Sequence, residues 1–169
     1  RKTHNIEGAP LLLVLPGSRR SEVRRLLPIF RGAVAALIRQ NPALRVVVPT
    51  VSAVESQVRT TVADWPGKPI IVGPKAATAT WTHTQTLAHL VETAHRDKRA
   101  AFAAADVALA ASGTVSLELA AAATPMVIAY DMAWLSRQII SRMLRVDTVT
   151  LVNLVSETRV VPEFIGANC

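Results

Sequence analysis

Ala110-Ala-Ser-Gly-Thr-Val-Ser-Leu-Glu118 is the stretch from which the fold can be read. Before it, Asp106-Val-Ala-Leu-Ala110 carries a short apolar run with the character of a buried strand. After it, Leu119-Ala-Ala-Ala-Ala-Thr-Pro125 reads as a short helix that Pro125 stops. A strand, a Ser-Gly-Thr turn and a helix start gather backbone N–H groups around one point, an arrangement that binds anions. Gly113 lets a ligand come close to the backbone because no Cβ stands in the way. Glu118 is the only charged side chain between Asp106 and Asp131. A carboxylate in so apolar a setting requires donors, and ribose hydroxyls would supply them, so the stretch suggests a nucleotide diphosphate site. A plain helix cap at Ser112 or Thr114, with Glu118 set against the helix dipole, is the competing reading. It fits Glu118 poorly, because a capping box places the acid three residues after the cap. Glu118 follows Thr114 by four residues and Ser112 by six.

Outward from this stretch the same alternation recurs. Leu11–Leu15 is a continuous apolar run closed by Pro16-Gly-Ser-Arg-Arg20, a buried strand followed by a turn. Ser21–Leu27 follows, and Pro28 can open a longer helix to about Gln40, with Ile29, Ala33, Ala36, Leu37 and Gln40 close in angle and Arg31 and Arg39 elsewhere. Leu44–Val48 reads as the second strand, Ser52–Ala63 as a helix, Pro69–Val72 as the third strand, Val107–Ala111 as the fourth and Met126–Tyr130 as the fifth. Strands this apolar have no wet face. Alternating with helices, they predict an α/β fold, a Rossmann-like parallel sheet with helices on both faces. Ligands of such sheets sit beyond the carboxyl ends of the strands, where both the Pro16–Arg20 and the Ser112–Thr114 turns fall. Two phosphate-friendly turns on one edge favour the ligand reading over the cap.

The remaining features bound the function more loosely. The 169 residues suit a single domain, with residues 1–9 expected to be a frayed linker and 10–169 the folded unit. The abrupt start at Arg1 suggests a piece of a longer protein. No apolar run approaches the ~18 residues of a membrane helix. The one cysteine, Cys169, excludes a disulfide framework. The net charge of +7 calls for an anionic partner. Nucleic acid is not expected, because no basic–aromatic stripe or metal-finger spacing accompanies the charge. The polar segment Lys75–Arg99 carries Trp81 and the histidines His83, His89 and His95, its latter half reading as a helix that continues into Ala100–Ala105. Successive histidines would be turned by about 240°, so they share no metal-binding face and read as solvated surface residues. On a helix from Met132 to Val146, Trp134, Arg137, Gln138, Ser141, Arg142 and Arg145 fall within an arc of about 140°. That arc is either a solvated face of a core-packing helix or a surface for an anionic membrane. Thr148–Val155 and Arg159–Glu163 read as loop or short extended pieces, with Asn153 and Arg159 conspicuous as polar groups in an apolar run.

Taken in order, Leu15-Pro-Gly-Ser-Arg19 with Glu22, Ser112-Gly-Thr-Val-Ser-Leu-Glu118, Pro125-Met-Val-Ile-Ala-Tyr130, Val152-Asn-Leu-Val155 and Arg159-Val-Val-Pro-Glu163 closely resemble the lipid-A-disaccharide synthase family. The resemblance covers nearly the whole chain but only the carboxyl-terminal half of that enzyme. It implies one half of a GT-B glycosyltransferase, in which two Rossmann-like halves face each other across a cleft. The family transfers 2,3-diacylglucosamine from its UDP donor, UDP-2,3-diacylglucosamine, to 2,3-diacylglucosamine 1-phosphate, making a β-1,6 linkage with inversion and releasing UDP. By the same resemblance no metal or other cofactor is needed. Gly17, Ser18 and Arg19 would belong to the donor or phosphate site, Ser112, Gly113 and Thr114 would hold the diphosphate, and Glu118 the ribose. Asn153 and Arg159 would complete the site, with Glu22 a weaker candidate that could equally cap the first helix. The catalytic base is expected in the amino-terminal half. The acylated substrates imply a cytoplasmic enzyme peripheral on the inner membrane, and the resemblance leaves room for a homodimer at full length. The Lys75–Arg99 stretch is longer than the link the family leads one to expect. Another UDP-sugar enzyme of the same architecture, such as a UDP-N-acetylglucosamine 2-epimerase, and a non-catalytic basic membrane-surface module are the alternatives.

Overall fold

A computed structural model describes residues 1, 6–73, 87–131, 148–166 and 169, with the side chains of 87–95 excepted. Trp81, His83, the side chains of His89 and His95, and the expected Met132–Val146 helix lie outside the described residues. The architecture is an α/β sheet of six parallel strands. In chain order the elements are β1 (Leu11–Leu15), α1 (Arg20–Gln40), β2 (Arg45–Pro49), α2 (Glu55–Val62), β3 (Ile70–Val72), α3 (Leu87–Ala104), β4 (Val107–Ala111), α4 (Val115–Ala121), β5 (Met126–Tyr130), α5 (Leu151–Ser156) and β6 (Glu163–Ile165).

The spatial order is β3-β2-β1-β4-β5-β6. The chain therefore builds outward from β1 to one edge, returns to lay β4 beside β1, and builds to the other edge. The point between β1 and β4 is where the winding reverses, and there the strand ends splay apart and leave a crevice. β1 is buried at all its positions because both faces are covered. Its side chains alternate between two cores. Leu12 and Val14 pack with Val23, Leu26, Leu27, Phe30 and Val34 of α1 and with Val58 and Val62 of α2. Leu11, Leu13 and Leu15 pack on the opposite face with Phe102 of α3 and Leu119 of α4.

The helices depart from the sequence expectation in instructive ways. α1 runs unbroken from Arg20 through Pro28 rather than opening at it. Pro28 sits on the exposed side, so the Arg24 carbonyl that it leaves without a donor is within reach of water. Starting the helix at Arg20 also moves its buried stripe to Val23, Leu26, Leu27, Phe30 and Val34. Ala33, Leu37 and Gln40, expected on that face, are exposed. α4 begins at Val115 and is finished before Pro125, where Ala123 takes φ +53°. α5 takes the place of the loop or extended piece expected over Thr148–Val155, whereas residues 159–162 are irregular as expected and lead into β6 at Glu163. β6 is too short to signal itself in sequence and exists through its pairing with β5, Ile128 against Glu163 and Tyr130 against Ile165.

The frayed linker expected at the amino end does not describe Arg1 or Ile6. Ile6 is buried in the second core. The Arg1 guanidinium donates to the Ala104 carbonyl at 2.7 Å and to Asp106 Oδ1 at 2.8 Å. Asp106 Oδ2 in turn accepts the Leu11 N–H at 2.7 Å, tying the starts of β1 and β4 together. The Leu11 amide and then the Arg1 guanidinium hold the Asp106 carboxyl below the usual carboxylate range.

Candidate functional site

Two strand-to-helix turns meet at the reversal point of the sheet and frame a cleft of about 420 Å³. The first leaves β1 through Pro16 and Gly17. Gly17 takes φ +106°, and a Cβ there would stand 2.7 Å from Glu22 Oε2. Glycine is thus needed for conformation and for space. Glu22 lies one turn into α1 and folds back, its Oε2 accepting the Arg19 N–H at 3.3 Å and its Oε1 pairing with Arg19 Nη1 at 2.9 Å. It therefore closes the amino end of α1 and lines the cleft at once. Arg19 reaches out, its side chain 78% exposed.

The second turn leaves β4 through Ser112, Gly113 and Thr114. Gly113 takes φ +142°, and apart from its chain neighbours nothing lies within 4 Å of where a Cβ would stand. Gly113 itself lines the cleft. Among the described residues, no backbone carbonyl takes the amides of Gly113 and Thr114. Those amides remain as donors for a ligand. Ser112 does not offer its hydroxyl to the cleft; Oγ donates to the Val149 carbonyl at 2.8 Å. Val149 and Leu151, with Pro49 at the end of β2 and Thr50 and Val51 just after it, line the remaining walls.

Glu118 is not the unpartnered carboxylate that the sequence suggested. Lys98, on α3, places Nζ 2.7 and 3.0 Å from its two carboxylate oxygens. Lys98 is the charged lining residue that sequence reasoning missed, because a twenty-residue separation carries no periodic signal. The one local hint was Phe102, one helical turn on, whose ring centroid lies 5.3 Å from the ammonium.

The cleft gathers Gly17, Ser18, Arg19, Glu22, Ser112, Gly113, Thr114 and Glu118. It does not gather Asn153 or Arg159. Asn153 is only 1% exposed. Its Nδ2 donates to Glu163 Oε1 at 2.7 Å and the Val161 carbonyl at 2.9 Å, and its Oδ1 accepts the Val161 N–H at 3.1 Å. It is spent on joining α5 to the start of β6. Arg159 is exposed past the end of α5, with Nη1 donating to the Thr158 carbonyl at 3.1 Å. Glu163 links this cluster to the cleft: it accepts the Thr148 hydroxyl, and the Val149 N–H at 3.0 Å. The Val149 peptide is thus held by Glu163 through its nitrogen and by Ser112 through its oxygen. Burial pushes the Glu163 carboxyl up, but the bonds from Thr148, the Val149 amide and Asn153 outweigh it and hold it below the usual glutamate range.

Among the described residues no group of acidic, histidine or cysteine side chains is placed to hold a metal ion, and no helix is long and apolar enough to cross a membrane. Among the described residues the chemistry on offer is anion binding by backbone amides, Arg19 and Lys98, beside Glu118, a carboxylate suited to hydroxyl donors.

The family model described as lipid-A-disaccharide synthetase matches residues 2–66 and 72–169. The lipid-A-disaccharide synthase of Ruegeria pomeroyi is 57% identical over 161 residues, covering 95% of this chain and 37% of that protein. That of Bradyrhizobium diazoefficiens is 41% identical over 169 residues, covering 100% of this chain and 38% of that protein. The chain thus spans somewhat over a third of the length of these relatives. Among solved structures, a glycosyl transferase family 9 protein from Veillonella parvula superposes with a TM-score of 0.55 at 14% identity, covering 94% of this chain and 47% of its own. A putative UDP-N-acetylglucosamine 2-epimerase from Listeria monocytogenes superposes with a TM-score of 0.51 at 16% identity, covering 92% of this chain and 37% of its own. At such identities the likeness is one of fold.

Proposed function

Because the chain belongs to the lipid-A-disaccharide synthetase family, we propose that it is the sugar-nucleotide-binding half of a GT-B hexosyltransferase. The observation that carries this reading is the pairing of two glycine turns across one cleft at the reversal point of the sheet. Gly17, Ser18 and Arg19 face Ser112, Gly113 and Thr114 there, with Glu118 on the rim. The donor is UDP-2,3-diacylglucosamine and the acceptor 2,3-diacylglucosamine 1-phosphate, joined by a β-1,6 linkage with inversion. The amides of Gly113 and Thr114 and the Arg19 guanidinium receive the diphosphate, whose negative charge grows as the glycosidic bond to UDP breaks. Fixed donors aimed at that charge lower the barrier because they need no reorganisation. Glu118 accepts from the ribose hydroxyls. Asn153 acts from behind the wall, through Glu163 and the Val149 peptide, rather than on the ligand.

The base that deprotonates the acceptor hydroxyl belongs to the amino-terminal half of the longer protein, which also supplies the acceptor site. This chain alone is therefore expected to bind UDP weakly and to transfer no sugar. Acylated substrates place the whole enzyme at the cytoplasmic face of the inner membrane, as a peripheral protein. Isothermal calorimetry with UDP tests the reading. Saturable heat from this chain is expected, and its absence where the longer protein binds would defeat it. Assaying the longer protein with acylated and unacylated UDP-glucosamine separates the lipid A reaction from that of other UDP-sugar enzymes. Only turnover of the acylated donor fits the reading.

A further inference from the structure

Among the described residues two cations line the cleft, and each is paired with a carboxylate that also lines it: Arg19 with Glu22, and Lys98 with Glu118. The two pairs are not equivalent. Glu22 is committed twice over, to the Arg19 guanidinium and to the Arg19 amide, and its side chain is only 16% exposed. Glu118 has no such second commitment among the described residues, and its side chain is 45% exposed, against 30% for Lys98. The Lys98 ammonium is held from below by the Phe102 ring, itself 1% exposed and anchored in the core. The ring thus gives the Lys98 ammonium a second contact that does not depend on Glu118.

A nucleoside diphosphate carries hydroxyl donors at one end and anionic oxygens at the other. It can satisfy both members of the Lys98–Glu118 pair at once: ribose hydroxyls for the carboxylate, phosphate oxygens for the ammonium. We propose that the ligand opens this ion pair, and that Lys98 is a diphosphate-binding residue that sets how strongly the site prefers a charged nucleotide over a bare nucleoside. The inference rests on the cleft being the nucleoside diphosphate site. The exchange leaves neither group unpaired, whereas a ligand lacking phosphate offers the ammonium no anion in return for any carboxylate contact it gives up. The ion pair therefore acts as a selectivity element. Uridine competes with Lys98 for Glu118 and gives the ammonium nothing, whereas UDP supplies a partner to both groups.

The test compares UDP and uridine binding to wild type, Lys98→Met and Lys98→Arg, using calorimetry for UDP and saturation-transfer NMR for uridine. Thermal melting first establishes that each variant is folded. Lys98→Met is expected to lower UDP affinity about tenfold, or about 1.4 kcal/mol. Uridine affinity should hold or rise, so the preference for UDP shrinks, and Lys98→Arg should restore most of it. A folded Lys98→Met protein with an unchanged ratio of UDP to uridine affinity would overturn the inference while leaving the nucleotide site intact. A wild type that binds neither ligand would remove the site itself, and the inference with it.

Discussion

Gly113 shows how much one residue decides here. Its φ of +142° lies in a region that side-chain-bearing residues rarely enter, although a Cβ would have room. Conformation alone requires glycine at this position, and a strained residue there costs about 1–3 kcal/mol. Gly113→Ala is expected to relax the turn and weaken UDP binding, with melting temperature and calorimetry as the paired readouts. An unchanged affinity would show that the turn's amides do not hold the diphosphate. Glu118→Ala should lower UDP affinity by about 1–3 kcal/mol, the cost of leaving hydroxyl donors unmet. Glu163 makes a different kind of prediction. Its folded pKa lies below the ordinary value, so its stabilising contribution is fully present above about pH 4.3 and is lost as the pH falls through the folded value. Glu163→Gln should flatten the acid limb of the stability–pH curve, which denaturant titrations between about pH 3 and 6 would reveal. Equal acid sensitivity in the variant would take the proton-linked role away from this residue.

Among the elements, α1 carries the greatest part of one core. Phe30 and Leu26 are both fully buried against β1 and β2. Phe30→Ala is expected to cost about 3–5 kcal/mol, measured by urea denaturation, because the sheet beneath cannot collapse into the space. A loss below about 1 kcal/mol would mean that the stripe is misassigned. The helix also explains one misreading from sequence. Pro28 has the form of a helix opener, but the apolar spacing Val23, Leu26, Leu27, Phe30 and Val34 crosses it without a break. Burial of that stripe outweighs one lost backbone bond on the solvent side. β6 illustrates the opposite case. Its three residues have no alternation long enough to read, and Glu163 at its start is anchored by Asn153, ten residues earlier in the chain.

For the molecule as a whole, charge and topology act together. The net charge of +7 favours polyanionic ligands over a distance, and the proposed site for one lies at the sheet reversal. Arg19 is well exposed and Lys98 partly so, which leaves their attraction open to screening. UDP affinity is accordingly expected to fall about 3–10-fold between about 0.05 and 0.5 M salt, while uridine affinity changes little. Calorimetry across that range checks it, and a salt-independent UDP affinity would mean that uncharged donors do the binding.

The sequence by itself determined the parallel α/β character, the places of β1, β4 and β5, and the two glycine turns on one sheet edge. These are local properties: apolar runs of strand length, glycine and proline at their ends, and the period of a helix face. Only the tertiary structure decided what each polar group near the site is for. Glu118, alone in its stretch of chain, finds Lys98 twenty residues away. Asn153, expected in the donor site, turns inward to Val161 and Glu163. Ser112 gives its hydroxyl to Val149, while among the described residues the amides of Gly113 and Thr114 meet no backbone carbonyl. Polar side chains take whichever partner the packed elements bring within hydrogen-bond reach, and no spacing along the chain encodes that.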